Sequence, residues 1–161
     1  MSESIDGDRF RRVMGCFPTG VTVVTAMDGD QPVAMVIGSF GSVSLDPPLV
    51  MFLPGNTSKT WPQIERAGHF CVNVMGHDQL EVCNAFFTKE VDPFDTFGWE
   101  PAGSGAPRLE GSSAWIDCAI DNVVEAGDHY IVIGRVLDLD GDHERVPLVF
   151  HGGRYGQFHG F

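Results

Sequence analysis

The chain has 161 residues, 43% of them hydrophobic and 20% charged, enough for one soluble-type domain with its own hydrophobic core. Ten Lys and Arg against twenty-two Asp and Glu give a formal net charge of -12, which excludes the broad basic surface that nucleic acid or an anionic membrane requires, so any phosphorylated ligand must be captured locally. No stretch approaches the roughly eighteen apolar residues of a membrane helix, and the start MSESIDGDRF lacks the basic and apolar regions of a secretory leader; a cytoplasmic protein is expected.

A single domain over residues 1–161 is expected, with 1–8 as a flexible start. Phe10, Val13, Met14 and Phe17 fall at i, i+3, i+4 and i+7, which predicts a helix with one apolar face, ended by Pro18 and Gly20. That face should lie on other apolar groups. The β-branched run GVTVVTA over 20–26 and the segment 31–39 read as two strands of a hairpin, folded at Asp28-Gly29-Asp30. After the double proline Pro47-Pro48, the wholly apolar run Leu49 to Leu53 predicts a strand buried on both faces. Asn56, Thr57 and Ser58 are competent N-caps for a helix carrying Trp61 and Ile64 and stopping at Gly68. A strand over 70–74 follows, then a second helix with a stripe of Leu80, Cys83, Phe86 and Phe87.

Residues 88–113, rich in Gly, Pro and Asp, read as one long loop pinned to the body by Phe94, Phe97 and Trp99. Strands over 115–121 and 130–139 meet through Gly127-Asp128-His129, and short strands at 148–150 and 154–158 flank Gly152-Gly153. About seven strands joined by tight turns, with few and peripheral helices, predict a mainly β protein. The architecture is a closed, antiparallel, Greek-key-like β-barrel.

Many chemistries lack their signature. The sequence contains no GxSxG, HExxH, GxxxxGK[ST] or GxGxxG motif, and its six histidines are scattered, so no metal site is expected. Asp92 and Asp95 stand in a Pro-containing loop, where acidic residues form turns. The cysteines at 16, 71, 83 and 118 sit singly in apolar stretches and read as reduced core residues.

One segment asks for a ligand. MVIGSFGSVSLDPP, residues 35–48, begins as an apolar strand and ends in small hydroxylated residues. Glycine at 38 and 41 lets a main chain approach a planar heterocycle without a Cβ in the way. The hydroxyls of Ser39, Ser42 and Ser44, the amides near Thr57 to Lys59 and the Lys59 ammonium could together hold a phosphate. Composition alone also allows a plain strand end followed by a capped helix and a surface lysine.

The series FRRVMGCFPTGVTVVTA, PVAMVIGSFGSVSLDPPLVMFLP, NTSKTW, HFCVNVM and GDHYIVIGRV, collinear over about residues 10 to 155, resembles the flavin reductase-like family of FMN-binding split barrels. It is similar in particular to small NAD(P)H:flavin oxidoreductases that supply reduced flavin to two-component monooxygenases. The resemblance implies FMN or FAD as the flavin and NADH or NADPH as co-substrate. It places the isoalloxazine along Pro32, Val33, Ala34, Met35, Val36, Gly38 and Ser39, with Leu53 and Pro54 beside it. The flavin phosphate would lie near Ser39, Ser58, Lys59 and Thr60, with Ala85 and Phe86 close by. Asp128 and the candidate catalytic His129 would border the nicotinamide nucleotide, with Tyr155 as a further contact.

The resemblance also implies a homodimer with flavin near the subunit boundary; the apolar Val36, Ile37 and Phe40 are compatible with that. Two positions depart from the family pattern: Gly38 replaces a larger polar residue and Lys59 an arginine, which weakens the expected grip on flavin. Two other readings stay open at this point, a split-barrel flavoprotein oxidase that keeps its FMN and a non-catalytic flavin-binding module.

Overall fold

The computed structural model describes residues 4–161. It opens with α1, Gly7–Met14, whose N-cap Asp6 accepts a hydrogen bond from the amide of Asp8. Of the start expected to be flexible, residues 1–3 lie outside the described residues, and helix is already formed at Gly7.

The central sheet is built from β2 (Thr22–Asp28), β3 (Gln31–Ile37), β4 (Gly41–Ser44), β5 (Leu49–Phe52), β6 (His69–Val74), β9 (Ala114–Ala126) and β10 (His129–Gly141). Their order is β3-β2-β6-β9-β10-β5-β4, and every pairing is antiparallel. The two outermost strands, β3 and β4, are consecutive in the chain, so the sheet curls until Gly38, Ser39 and Phe40 span its two edges. No ladder pairs those edges. On the β4 side, Ser39 Oγ accepts from the Leu53 amide at 3.0 Å and donates to the Leu53 carbonyl at 3.4 Å, extending the pairing in which Gly41 lies opposite Met51.

Inside the curl, Val24, Val33, Val50, Phe52, Phe70 and Val132 meet from five strands. The short helix α2, Trp61–Ala67, caps this core with Trp61 and Ile64 and ends at Gly68, whose φ of 75° favours glycine. Phe52 stacks edge-on to Phe70 at 5.0 Å and to Trp61 at 6.0 Å. Gly134 on β10 makes room for Phe70, since a Cβ there would lie 2.4 Å from its ring. A second cluster on the outer face of β2 gathers Val21, Val23, Met75, Cys83, Leu109 and Leu148. α3, Leu80–Ala85, supplies Cys83 to it.

A smaller sheet joins β1 (Thr19–Gly20), β11 (Leu148–His151) and β12 (Arg154–Gln157), with Thr19 opposite Phe150. The segment read as one long loop contains α4 (Pro93–Thr96) and the hairpin of β7 (Trp99–Pro101) with β8 (Pro107–Leu109). Asp92 caps α4 through the Phe94 amide, and Phe94 packs against Phe86 at 5.6 Å and Trp99 at 6.0 Å. The buried Asn73 side chain, which donates to Val23 O and accepts from the Leu109 amide, ties β8 to the barrel.

Four expectations change. The strand buried on both faces is β2, which has β3 and β6 on either side; β5 alternates, with Val50 and Phe52 inward and Leu49 and Met51 half-buried beside the sheet edge. The apolar stripe of the first helix finds no core: α1 ends at Met14, short of the expected Phe17, and Phe10, Val13, Met14 and Phe17 are all more than half exposed. Ile37 is buried and so not free for a partner, while Val36 and Phe40 are partly exposed and pack against the two clusters. Cys16 is exposed at the end of α1, whereas Cys71, Cys83 and Cys118 are buried.

Candidate functional site

Because α1 stands off the barrel, a cavity of about 860 Å³ opens beneath it. One wall is Phe10, Met14 and Phe17; the opposite wall is Gly38, Ser39 and Phe40 with Met51 and Leu53 of the β5 side; Phe150 closes one end. A smaller cavity of about 190 Å³ shares Thr19, Gly20, Gly38 and Phe150 with it and adds Val36 and Tyr155. Tyr155 stacks on Phe150 at 5.1 Å and also borders a third hollow with His77 and Leu148. Burial pushes its phenol above the ordinary value.

The surroundings are mostly apolar and aromatic side chains and the main chain at the sheet seam, with Arg11, Thr19 and Ser39 as the polar side chains. The larger volume falls inside the roughly 300–1,000 Å³ of small-molecule sites. Glycine at 38 leaves that main chain bare. A flat ring system fits such a space, and its walls supply no nucleophile and no acid–base pair. Among the described residues, no three or more His, Cys, Asp or Glu side chains gather as a metal would need.

The candidate residues divide by place. Gly38, Ser39 and Leu53 line the large cavity, and Val36 and Tyr155 line the smaller one. The side chains of Val33 and Met35 go to the inner core and those of Ala34 and Val36 pack against the outer cluster. What β3 presents outward from Pro32 to Val36 is therefore its unpaired edge, a row of main-chain groups. Ser58 Oγ accepts hydrogen bonds from the amides of Thr60, the N-cap of α2, and Trp61 at 3.2 and 3.1 Å, so it is engaged in the turn that leads into the helix, while the Lys59 side chain is exposed beside it. Phe86, at the end of α3, packs against Phe94, and neither it nor Ala85 lines the cavity.

Asp128 and His129 sit at the tip of the β9–β10 hairpin, clamped to the segment after β5. The Asn56 amide donates to Asp128 O at 2.9 Å, the Tyr130 amide to the buried Pro54 O at 2.9 Å, and Gly55 bridges His129. Asp128 Oδ1 pairs with His129 Nδ1 at 2.7 Å. That hydrogen bond and the histidine charge hold the Asp128 carboxyl below its ordinary value, with a smaller contribution from Arg11. Arg11 also lines the cavity, which places the hairpin tip on the same side of the molecule.

The sequence reading missed Thr19, Met51, Phe150 and the α1 side chains as wall residues. The helix stripe was its own signal, but periodicity marks an apolar face without saying what it faces.

An antiparallel barrel with a largely apolar cavity of this size at its seam places the molecule among ligand-binding β-barrels. The sequence matches the family described as flavin reductase like domain over residues 14–159. It is 52% identical over 156 residues to a flavin reductase of Pseudomonas putida, covering 96% of this chain and 92% of the relative. It is 44% identical over 154 residues to the reductase subunit HsaB of a flavin-dependent monooxygenase of Rhodococcus jostii, covering 96% and 79%. Among solved structures, nitrilotriacetate monooxygenase component B from Mycobacterium thermoresistibile superposes with a TM-score of 0.92 at 42% identity, covering 98% of this chain and 89% of that one. The NADH:FAD oxidoreductase SgcE6 of Streptomyces globisporus, solved with NAD and FAD fragments, gives 0.89 at 38% identity, covering 98% of each. This chain belongs to the flavin reductase-like family and is an oxidoreductase.

Proposed function

We propose that the protein reduces FMN or FAD with NADH or NADPH and releases the reduced flavin to a separate monooxygenase. The observation that carries this reading is the cavity of about 860 Å³ at the seam, bounded by bare main chain at Gly38 and by aromatic side chains. Relatives named as an NADH-dependent FMN reductase and an NADH-dependent FAD reductase support the same reading.

A bound flavin supplies a ring nitrogen that accepts hydride from reduced nicotinamide. The chain's own residues bind and orient. Gly38, Ser39 and Leu53 form the floor for the ring, with the free edge of β3 from Pro32 to Val36 offering main-chain donors and acceptors beside it. Phe10, Met14 and Phe150 exclude water, which matters because stacked reactants gain most of their rate from fixed proximity in a dry site. Lys59, with Ser58 and Thr60, supplies the local cation for phosphate that an acidic surface otherwise lacks. Asp128 and His129 face the nicotinamide nucleotide.

The protein acts as a homodimer in the cytoplasm. Support for the first is the apolar face of α1, unpartnered within the protomer; support for the second is its unpaired cysteines, which suit a reducing compartment.

The test mixes the protein with NADH and rising concentrations of FMN or FAD and follows the reduced-nicotinamide absorbance. Oxidation that saturates with added free flavin is expected. Oxidation independent of added flavin would instead mark an enzyme that keeps its FMN, and no oxidation with any flavin would overturn the reading.

A further inference from the structure

Among the described residues, two buried side-chain oxygens have no hydrogen-bond partner, Thr19 Oγ1 and Ser113 Oγ. Ser113 has polar company. The space over Gly76 Cα is flanked by Ser113 Oγ, Asp78 Oδ1 and Arg145 Nη2 together, so Ser113 lies among charged and polar groups. Thr19 has none of this. Its oxygen lies in the wall shared by the two seam cavities, beside Gly20, Gly38 and Phe150. A Cβ on Gly38 would come within 3.3 Å of it, so the glycine is what leaves that flank uncovered.

An unpaired hydroxyl in apolar surroundings is costly, and such groups persist where they have a task. The backbone of Thr19 is fixed by its pairing with Phe150. Its χ1 is the free coordinate, and a rotation between staggered wells exchanges the covered oxygen for one aimed into the cavity.

We infer that Thr19 is the polar anchor of the seam cavity, its hydroxyl hydrogen-bonding the amide-like edge of the planar heterocycle that lies over Gly38. The inference rests on the flavin and nicotinamide reading given above and adds to it a residue that sets specificity. An amide-like edge has an N–H and a C=O side by side; a threonine hydroxyl, both donor and acceptor, answers either. The isoalloxazine pyrimidine edge and the nicotinamide carboxamide share that chemistry.

The test compares wild type with Thr19→Val, which exchanges hydroxyl for methyl at nearly constant shape, and with Thr19→Ser, which keeps the hydroxyl. Flavin binding is read by quenching of FMN or FAD fluorescence, nucleotide binding by calorimetry with NAD+, and the free proteins are melted without ligand. For Thr19→Val, the dissociation constant of one ligand is expected to rise about 5- to 10-fold, the worth of one hydrogen bond, while the free protein melts no lower than wild type. Thr19→Ser is expected to bind as wild type. A rise for flavin places the hydroxyl on the isoalloxazine, and a rise for NAD+ places it on the carboxamide. Unchanged constants for both ligands, or a lower melting temperature for Thr19→Val, overturn the inference, the latter by revealing an internal partner. Were wild type itself to bind neither ligand, the functional reading would fail and the inference with it; that outcome is distinct because it does not depend on the substitution.

Discussion

His129 occupies a hairpin tip, where a histidine is ordinarily a solvated turn residue, yet the two backbone hydrogen bonds that flank it, to Pro54 and from Asn56, and the 2.7 Å bond to Asp128 hold it in place. With Nδ1 engaged by a carboxylate, Nε2 is the atom left for a ligand. His129→Ala is expected to raise KM for NADH severalfold with a smaller change for flavin, measured by varying each substrate at saturation of the other; equal changes would remove the nicotinamide role. At this scale the sequence disclosed the part of the site made from one continuous segment. Gly38 and Ser39 stood out because a buried strand has no structural use for a run of small residues. Thr19 and Phe150 did not, because a pairing between residues so far apart in sequence brings them to the cavity. Ser58 carried a mixed signal: a hydroxyl before a helix reads equally as phosphate ligand and as cap, and here it accepts from the Thr60 and Trp61 amides in the turn leading into α2, whose N-cap is Thr60.

The hairpins and both longer helices were readable because hydrophobic period and turn glycines agree, as at Gly29 and Gly127, both at positive φ. Packing partners were less readable. The α1 stripe has the pattern of a core-facing helix, and its four apolar residues face the cavity and solvent instead. If a second copy covers it, Val13→Glu is expected to shift the protein from dimer to monomer in sedimentation velocity, since burying a carboxylate in an apolar interface is prohibitive; a wild type that is already monomeric would refute the dimer. Within β10, Gly134 has a role that no periodicity reveals. Gly134→Ala places a methyl 2.4 Å from the Phe70 ring in a closely packed core, and a loss of about 1–3 kcal/mol is expected in denaturant unfolding.

For the molecule as a whole, the thiols report its integrity. Burial first, and the Asp117 charge next, push the Cys71 thiol from 9.0 to about 12; burial and the neighbouring Cys71 take Cys118 to about 12; burial takes Cys83 to about 11. A group whose pKa is raised by folding favours the folded state below its unfolded value, and that preference is lost as pH climbs toward the folded value. Stability is therefore expected to decline from about pH 9 upward, with a shallower decline in Cys71→Ala, followed by thermal melting across the series. At neutral pH a thiol reagent should titrate Cys16 alone in the native protein and all four cysteines once it is unfolded. The seam has a kinetic counterpart. Where neighbouring strands elsewhere share full ladders, the β3 and β4 edges have none between them and are joined by the chain through Gly38, Ser39 and Phe40, so the barrel can part there while β6, β9 and β10 stay shut. Deuterium should then enter the amides of Gly41 to Ser44 and Leu53 long before those of Val72 or Val132, and a large flat guest could come and go through local breathing of this one joint without the rest of the protein unfolding.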